Sequence, residues 1–126
     1  MKFDLQKEEK YAIVSAHVEK LDTLSAPDLK SELVYLLKNG FKNVIVDLNE
    51  TKYCDSSGLS ALLTGNRLAK EVDGSFVISG LQPAVEQLIK ISQLNSVLNI
   101  VPSKEEAVDM VMMEEIEREL KEGEGS

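Results

Sequence analysis

Short apolar runs alternate with longer amphipathic stretches along the chain, and this alternation predicts strands that are interleaved with helices. The first two strands flank a polar turn at Glu8-Glu9-Lys10. The run over residues 43–48 contains consecutive β-branched residues, which is typical of a strand buried on both faces. In chain order, the predicted strands cover residues 3–6, 11–18, 43–48, 75–79 and 98–101.

Four helices are predicted from apolar residues at helical spacing and from residues that favour helix ends. Ser25 is predicted to cap the first helix, with Pro27 and Asp28 in its first turn. Gly40 is predicted to end it, because glycine adopts positive φ readily. The first helix presents an apolar stripe of Leu29, Leu33, Leu36 and Leu37. The later helices are predicted over residues 57–70 and 83–91 and from a capping box at Ser103 and Glu106.

The elements follow one another in the order ββαβαβαβα, with helices alternating after strands. This order indicates an α/β fold with a mixed sheet of about five strands and about four helices. We expect a single domain over residues 1–122. Residues 123–126, Gly-Glu-Gly-Ser, are expected to form a disordered tail.

Composition limits the possible partners. The 126 residues are 43% hydrophobic and 29% charged, as in a soluble globular domain. A net charge of −8 argues against binding to nucleic acid or to anionic membranes, since both require clustered cations. No apolar run approaches the roughly 20 residues of a membrane span, and no signal peptide is recognisable. We therefore expect a cytoplasmic monomer or weak dimer without membrane insertion.

Residues suited to catalysis are scarce. The only histidine, His17, is predicted within the second strand, facing solvent or a partner, and no Gly-x-Ser-x-Gly motif occurs. Cys54 is the only cysteine, so no internal disulfide can form. One cysteine, one histidine and scattered acids do not make a set of metal ligands, and no glycine-rich phosphate loop is present. We expect no catalytic residue, metal or cofactor.

The segment Asp55-Ser56-Ser57-Gly58 follows a buried strand and opens a predicted helix. In the simpler interpretation it is a helix cap with a flexible glycine, Ser57 being the more natural cap. In a second interpretation, it presents a hydroxyl to a partner. Two hydroxyls and an acid crowd one helix start, and a glycine there costs about 1 kcal/mol relative to alanine. The surplus apolar residues of this helix, chiefly Ala61, Gly65 and Leu68, either pack on neighbouring helices or form a docking surface.

Three segments in order resemble the STAS domain and, within it, the bacterial anti-sigma factor antagonists. The strongest is Val46-Asp47-Leu48 followed by the segment 53–59, Tyr-Cys-Asp-Ser-Ser-Gly-Leu. Leu21-Asp22 before the first helix matches the family's Leu-Asp step, and the segment 79–85, Ser-Gly-Leu-Gln-Pro-Ala-Val, matches its strand, turn and helix start. The resemblance extends from about Phe3 to Val111.

The resemblance implies that Ser56 accepts phosphate from a partner that is both an anti-sigma factor and an ATP-dependent serine kinase. The unphosphorylated protein would bind this partner and free the sigma factor, and phosphorylation would release the partner until a serine phosphatase restored Ser56. The surface that contacts the partner would be formed by Asp22, Asp55, Ser56, Ser57, Gly58 and Leu59.

Other interpretations stay open. The chain could be a STAS module that is never phosphorylated and serves as a structural subunit of a lipid-transport or signalling complex. A hydrolase would need a base that the sequence lacks. Two departures from the family pattern are Val18-Glu19-Lys20 before the Leu-Asp step and a final helix that continues beyond the usual end. Its second apolar stripe, Met113, Ile116 and Leu120, is either a frayed acidic extension or a contact for another protein or a second copy.

Overall fold

A computed structural model describes residues 2–124 of the protein, which form seven strands and four helices. The strands are β1 (Phe3–Lys7), β2 (Ala12–Ala16), β3 (Lys20–Leu21), β4 (Asn43–Asp47), β5 (Tyr53–Cys54), β6 (Ser75–Ser79) and β7 (Asn99–Val101). The helices are α1 (Ala26–Lys38), α2 (Ser56–Glu71), α3 (Pro83–Ile91) and α4 (Lys104–Glu124).

Five strands form one mixed sheet in the order β1-β2-β4-β6-β7. β1 is antiparallel to β2, and the remaining neighbours pair in parallel. Parallel strands need crossover connections, which α1, α2 and α3 supply. The predicted α/β fold, with five strands in the sheet and four helices, is confirmed.

The two faces of the sheet are covered by different helices. Side chains alternate along a strand, so Val46 and Ile78 face the larger core formed with α1, α2 and α3. Ile45 and Val77 point the other way and contact α4. In α2, Ala61 is buried, and a Cβ on Gly65 would lie 2.5 Å from the Phe76 ring. These two residues are therefore packed against neighbouring elements of the domain.

A second, two-stranded sheet was not predicted from the sequence. It consists of β3 and β5, which pair in parallel through Lys20 with Tyr53 and Leu21 with Cys54. Strands of two residues are too short to show the alternation by which strands are recognised. This small sheet matters because it joins the segment before α1 to the segment before α2.

The ends of the helices match the predictions only in part. Gly40 has a φ of +96° just after α1, as expected, and Ser103 Oγ accepts the Glu106 backbone N–H at 3.2 Å. Ser25 occupies the N-cap position of α1 but does not cap it. Its hydroxyl instead donates to the Lys20 carbonyl at 2.7 Å, which ties α1 to β3.

The last helix is longer than predicted. α4 continues to Glu124, so Gly123 and Glu124 are helical and not part of the disordered tail that we expected, whereas residues 125 and 126 lie outside the described residues. Within residues 2–124, no helix has both the length and the apolar character needed to cross a membrane.

Candidate functional site

The small β3–β5 sheet places the segment before α1 beside the segment before α2, although 32 residues lie between each pair of partners in the sequence. The Asp55 backbone N–H donates to the Leu21 carbonyl at 3.2 Å, which continues this pairing. Asp22 and Asp55 therefore follow neighbouring strands. The first turns of α1 and α2 begin next to each other as a result.

Asp55, and not Ser57, caps α2. Its backbone is extended, and its Oδ1 accepts the N–H groups of Ser57 at 2.9 Å and of Gly58 at 3.2 Å. The prediction that Ser57 is the cap was wrong, because the helix begins one residue earlier, at Ser56. Both serine hydroxyls are therefore released from capping.

Ser56 is the exposed residue of this segment. Its hydroxyl has no hydrogen-bond partner within residues 2–124. Ser57 and Asp55 are half-buried. Within residues 2–124 the Ser57 hydroxyl makes no hydrogen bond either, so exposure is what distinguishes Ser56, which lies beside a carboxylate that is already engaged.

Gly58 and Leu59 are buried, so they contribute little to the surface that we predicted for them. A Cβ on Gly58 would lie 2.5 Å from both the Cys54 Sγ and the Leu21 carbonyl oxygen. The close approach that this glycine permits is therefore to the protein's own β3 and β5. Gly58 and Leu59 hold α2 in place beneath the exposed serine.

Asp22 organises the turn before α1. Its Oδ1 accepts the Leu24 backbone N–H at 3.0 Å, and its own N–H donates to Ser25 Oγ at 3.1 Å. This turn leaves Leu24 82% exposed. Sequence reasoning missed Leu24, because a single apolar residue in a turn has no periodic signal.

A groove of about 460 Å³ separates the first turns of α1 and α2. Of the predicted site residues, it brings together Ser56 and Ser57, whereas Asp22 and Asp55 hold the turns behind it. Lys30 is the one charged residue that lines it. The groove is lined by Thr23, Ala26, Pro27, Lys30, Ser56, Ser57, Ser60 and Ala61.

The segment Val18-Glu19-Lys20, which departs from the family pattern, supports the loop before β5. The Val18 carbonyl accepts the Thr51 hydroxyl at 2.9 Å, and the Glu19 carbonyl accepts the Lys52 N–H at 2.8 Å. Backbone carbonyls make these bonds, while the Val18 side chain packs against the larger core and the Glu19 carboxylate pairs with Lys52 at 3.5 Å.

His17 directly follows β2 and lies outside the groove. Its Nδ1 is 2.6 Å from Glu50 Oε2 and its Nε2 is 2.7 Å from Asp4 Oδ2. The hydrogen bonds to Glu50 and Asp4 raise the pKa of His17. The ring is therefore held as a bridge between β1 and the loop before β5, away from both serines.

Cys54 is buried beneath the first turn of α2. Burial, and then the neighbouring Asp55 carboxylate, raise the pKa of its thiol to about 12. A thiol with this pKa stays protonated near neutral pH and is a poor nucleophile. Across the described residues, no group of three or more His, Cys, Asp or Glu side chains is placed to hold a metal ion.

Several known proteins are similar to this chain. BtrV of Bordetella bronchiseptica is 29% identical over 87 residues, which cover 69% of this chain and 75% of BtrV. The anti-sigma-B factor antagonist of Bacillus subtilis is 28% identical over 89 residues, which cover 71% of this chain and 81% of that protein.

Solved structures show the same fold. The anti-sigma factor antagonist SpoIIAA from Bacillus matches in its unphosphorylated form with a TM-score of 0.70 at 19% identity, over 87% of this chain and 97% of SpoIIAA. The phosphorylated form matches with a TM-score of 0.68 at 20% identity, over 86% of this chain and 98% of that one. The STAS domain family itself matches residues 3–107. Since this match covers most of the sequence, the chain belongs to the STAS domain family.

Proposed function

We propose that this protein is an anti-sigma factor antagonist whose binding to its partner is controlled by phosphorylation of Ser56. The observation that carries the proposal is the exposure of the Ser56 hydroxyl at the edge of the groove between α1 and α2, where it makes no hydrogen bond within residues 2–124. The names of the relatives from Bacillus support the antagonist function. The phosphorylated form of SpoIIAA supports the modification.

The proposed binding surface consists of the turn before α1 and the first turn of α2. Leu24 supplies an exposed apolar side chain, and Ser56 supplies the hydroxyl. Asp22 and Asp55 fix these two turns, so the free protein is already shaped for binding. A preformed surface loses little conformational entropy when it binds a partner.

Phosphorylation of Ser56 would change the charge of this surface more than its shape. A phosphoserine adds about −1.5 to −2 charges at neutral pH. The N–H groups of Ser57 and Gly58 already donate to Asp55, so the phosphate would lie beside a carboxylate, with Lys30 as the one charged residue that lines the groove. A partner surface fitted to a neutral hydroxyl would have to desolvate the added charge, which is unfavourable. The protein would then be released.

In this proposal the protein is a substrate and not a catalyst. Its partner is an anti-sigma factor that also transfers phosphate from ATP to Ser56. A separate serine phosphatase removes the phosphate and restores binding. Because the cycle acts through a sigma factor, the protein needs no contact with nucleic acid, in keeping with its net charge of −8.

Intact-mass spectrometry of the protein from its native cells, with fragmentation, tests the modification. We expect one added phosphoryl group, about 80 Da and doubly ionisable, on Ser56.

Variants of the two serines test the assignment of the acceptor. The Ser56→Ala variant should retain the anti-sigma factor in a pull-down. The purified kinase should phosphorylate wild type and Ser57→Ala but not Ser56→Ala. Phosphate on Ser57 would contradict the assignment. A chain that is never phosphorylated would instead favour a constitutive STAS subunit.

A further inference from the structure

α4 changes polarity halfway along its length. In its first half, Ala107 and Val111 are buried against the sheet. In its second half, the ionic residues Glu115 and Arg118 face the sheet. Three apolar residues from the middle of the helix onward point outward and form what we call the outer stripe: Met113, 62% exposed, Ile116, 52% exposed, and Leu120, 63% exposed.

A polar network fixes this orientation. Arg118 donates to Ser75 Oγ at 3.0 Å and to Asn43 Oδ1 at 2.7 Å, and it pairs with Glu115 at 2.8 Å. Asn43 also donates to Glu115 at 3.1 Å. Asn43 and Ser75 are buried at the starts of β4 and β6, so Arg118 ties the second half of α4 to the sheet.

The outer stripe cannot be covered by the domain itself. At 100° per residue, it lies about half a turn around the helix from Arg118. Rolling α4 to bury the stripe would break the bonds of Arg118 and leave Asn43 and Ser75 without them. Breaking such buried polar bonds is costly. The three apolar side chains are thus held permanently toward the outside.

We infer that the outer stripe binds an amphipathic helix of another protein, apolar on one face and lined by lysine or arginine. Positions 113, 116 and 120 have the i, i+3, i+7 spacing with which paired helices contact each other. The surroundings are acidic: Asp109 and Glu117 are exposed near the stripe, and the segment from Lys104 onward has nine acidic and three basic residues. Lysine or arginine side chains on the bound helix would complement these negative charges.

A second copy of the chain fits this surface less well. Symmetric pairing through the stripe would bring two acidic helices together, and like charges in contact are unfavourable. A basic helix satisfies both the charge and the apolar contacts.

The outer stripe lies away from the proposed Ser56 site. α4 covers the face of the sheet opposite to α1 and α2. The two surfaces can therefore be occupied at the same time. The inference does not depend on the proposed function, because it uses neither Ser56 nor the groove.

A synthetic amphipathic peptide of about five helical turns, with leucine on one face and flanking lysines, is the probe. Titrated into the isotope-labelled protein, it should shift the NMR signals of residues 109–121. The Met113→Gln/Ile116→Gln/Leu120→Gln variant should bind at least about tenfold more weakly. Ile91→Gln, which removes an exposed apolar residue elsewhere, should bind like wild type.

A matched peptide with glutamate in place of lysine should not bind, because the charges of α4 are acidic. Circular dichroism establishes that the variants are folded, which we expect because the replaced side chains are exposed. The inference is overturned if the lysine peptide does not bind, if the triple variant binds it as well as wild type, or if both peptides bind equally. Self-association in sedimentation that the triple variant abolishes would overturn it in favour of a second copy.

Discussion

At the scale of single residues, Asp55 is the N-cap of α2 at the proposed switch. Because its carboxylate accepts the N–H groups of Ser57 and Gly58, the hydroxyls of Ser56 and Ser57 are not needed as caps. Asp55→Ala should therefore lower the free energy of unfolding by about 0.5–2 kcal/mol, the usual effect of losing a cap. Ser57→Ala, the matched control, should change it very little. Urea denaturation measures both, and equal losses in the two variants would contradict the assignment of the cap.

His17 gives the stability of the protein a dependence on pH. Its pKa is raised in the folded state by hydrogen bonds to Glu50 and Asp4, so folding favours the protonated ring. The stabilisation is fully present below the unfolded-state pKa of about 6.5. It is lost as the pH rises through the higher pKa of the folded state.

We expect the denaturant midpoint of wild type to fall across that range of pH, and the His17→Gln variant to lose this part of the dependence. Glutamine keeps a polar side chain that never becomes charged, which makes it a suitable comparison. An unchanged pH profile in the variant would mean that His17 is not the responsible group.

At the scale of elements, the polar network beneath α4 holds the second half of that helix in place. Arg118→Ala would leave Asn43 and Glu115 with fewer partners, and an unsatisfied polar group costs about 1–3 kcal/mol. In the Arg118→Ala variant, amide hydrogen exchange of residues 112–122 should be faster than in wild type, while the amides of the sheet stay protected. Lys121→Ala, an exposed change on the same helix, is the control. Equal exchange in both variants would show that the network does not anchor α4.

At the scale of the whole molecule, Ser56→Asp should leave the fold intact. Ser56 is exposed and makes no hydrogen bond through its hydroxyl within residues 2–124, so the added charge disturbs no internal contact. The free energy of unfolding should stay within about 0.5 kcal/mol of wild type, as for most surface substitutions. Thermal unfolding followed by circular dichroism measures this, and a large loss of stability would argue that Ser56 has a structural role.

The fold was predictable because five strands and four helices each carry their own periodic pattern. Contacts between residues distant in the sequence were not predictable in this way. The pairing of β3 with β5 joins residues 33 positions apart, Leu21 and Cys54, through strands too short to have a pattern. The bridge from His17 to Asp4 and Glu50 likewise joins residues that are distant in sequence, and no local pattern marks it.

The candidate site shows the same division. Ser56 and Asp55 were identified from one continuous segment. The choice between Asp55 and Ser57 as the cap was ambiguous, since both residue types favour that position. Leu24 and Lys30 became visible only when α1 and α2 were placed side by side.

The buried Cys54 gives the protein a built-in reporter of local opening. Its thiol is covered by the first turn of α2 and stays protonated, so an alkylating reagent can reach a reactive thiolate only when β5 and α2 separate. The rate of alkylation would then measure how often the segment that carries Ser56 opens, without any engineered label. Comparing that rate with and without a bound partner would show how strongly the partner closes it.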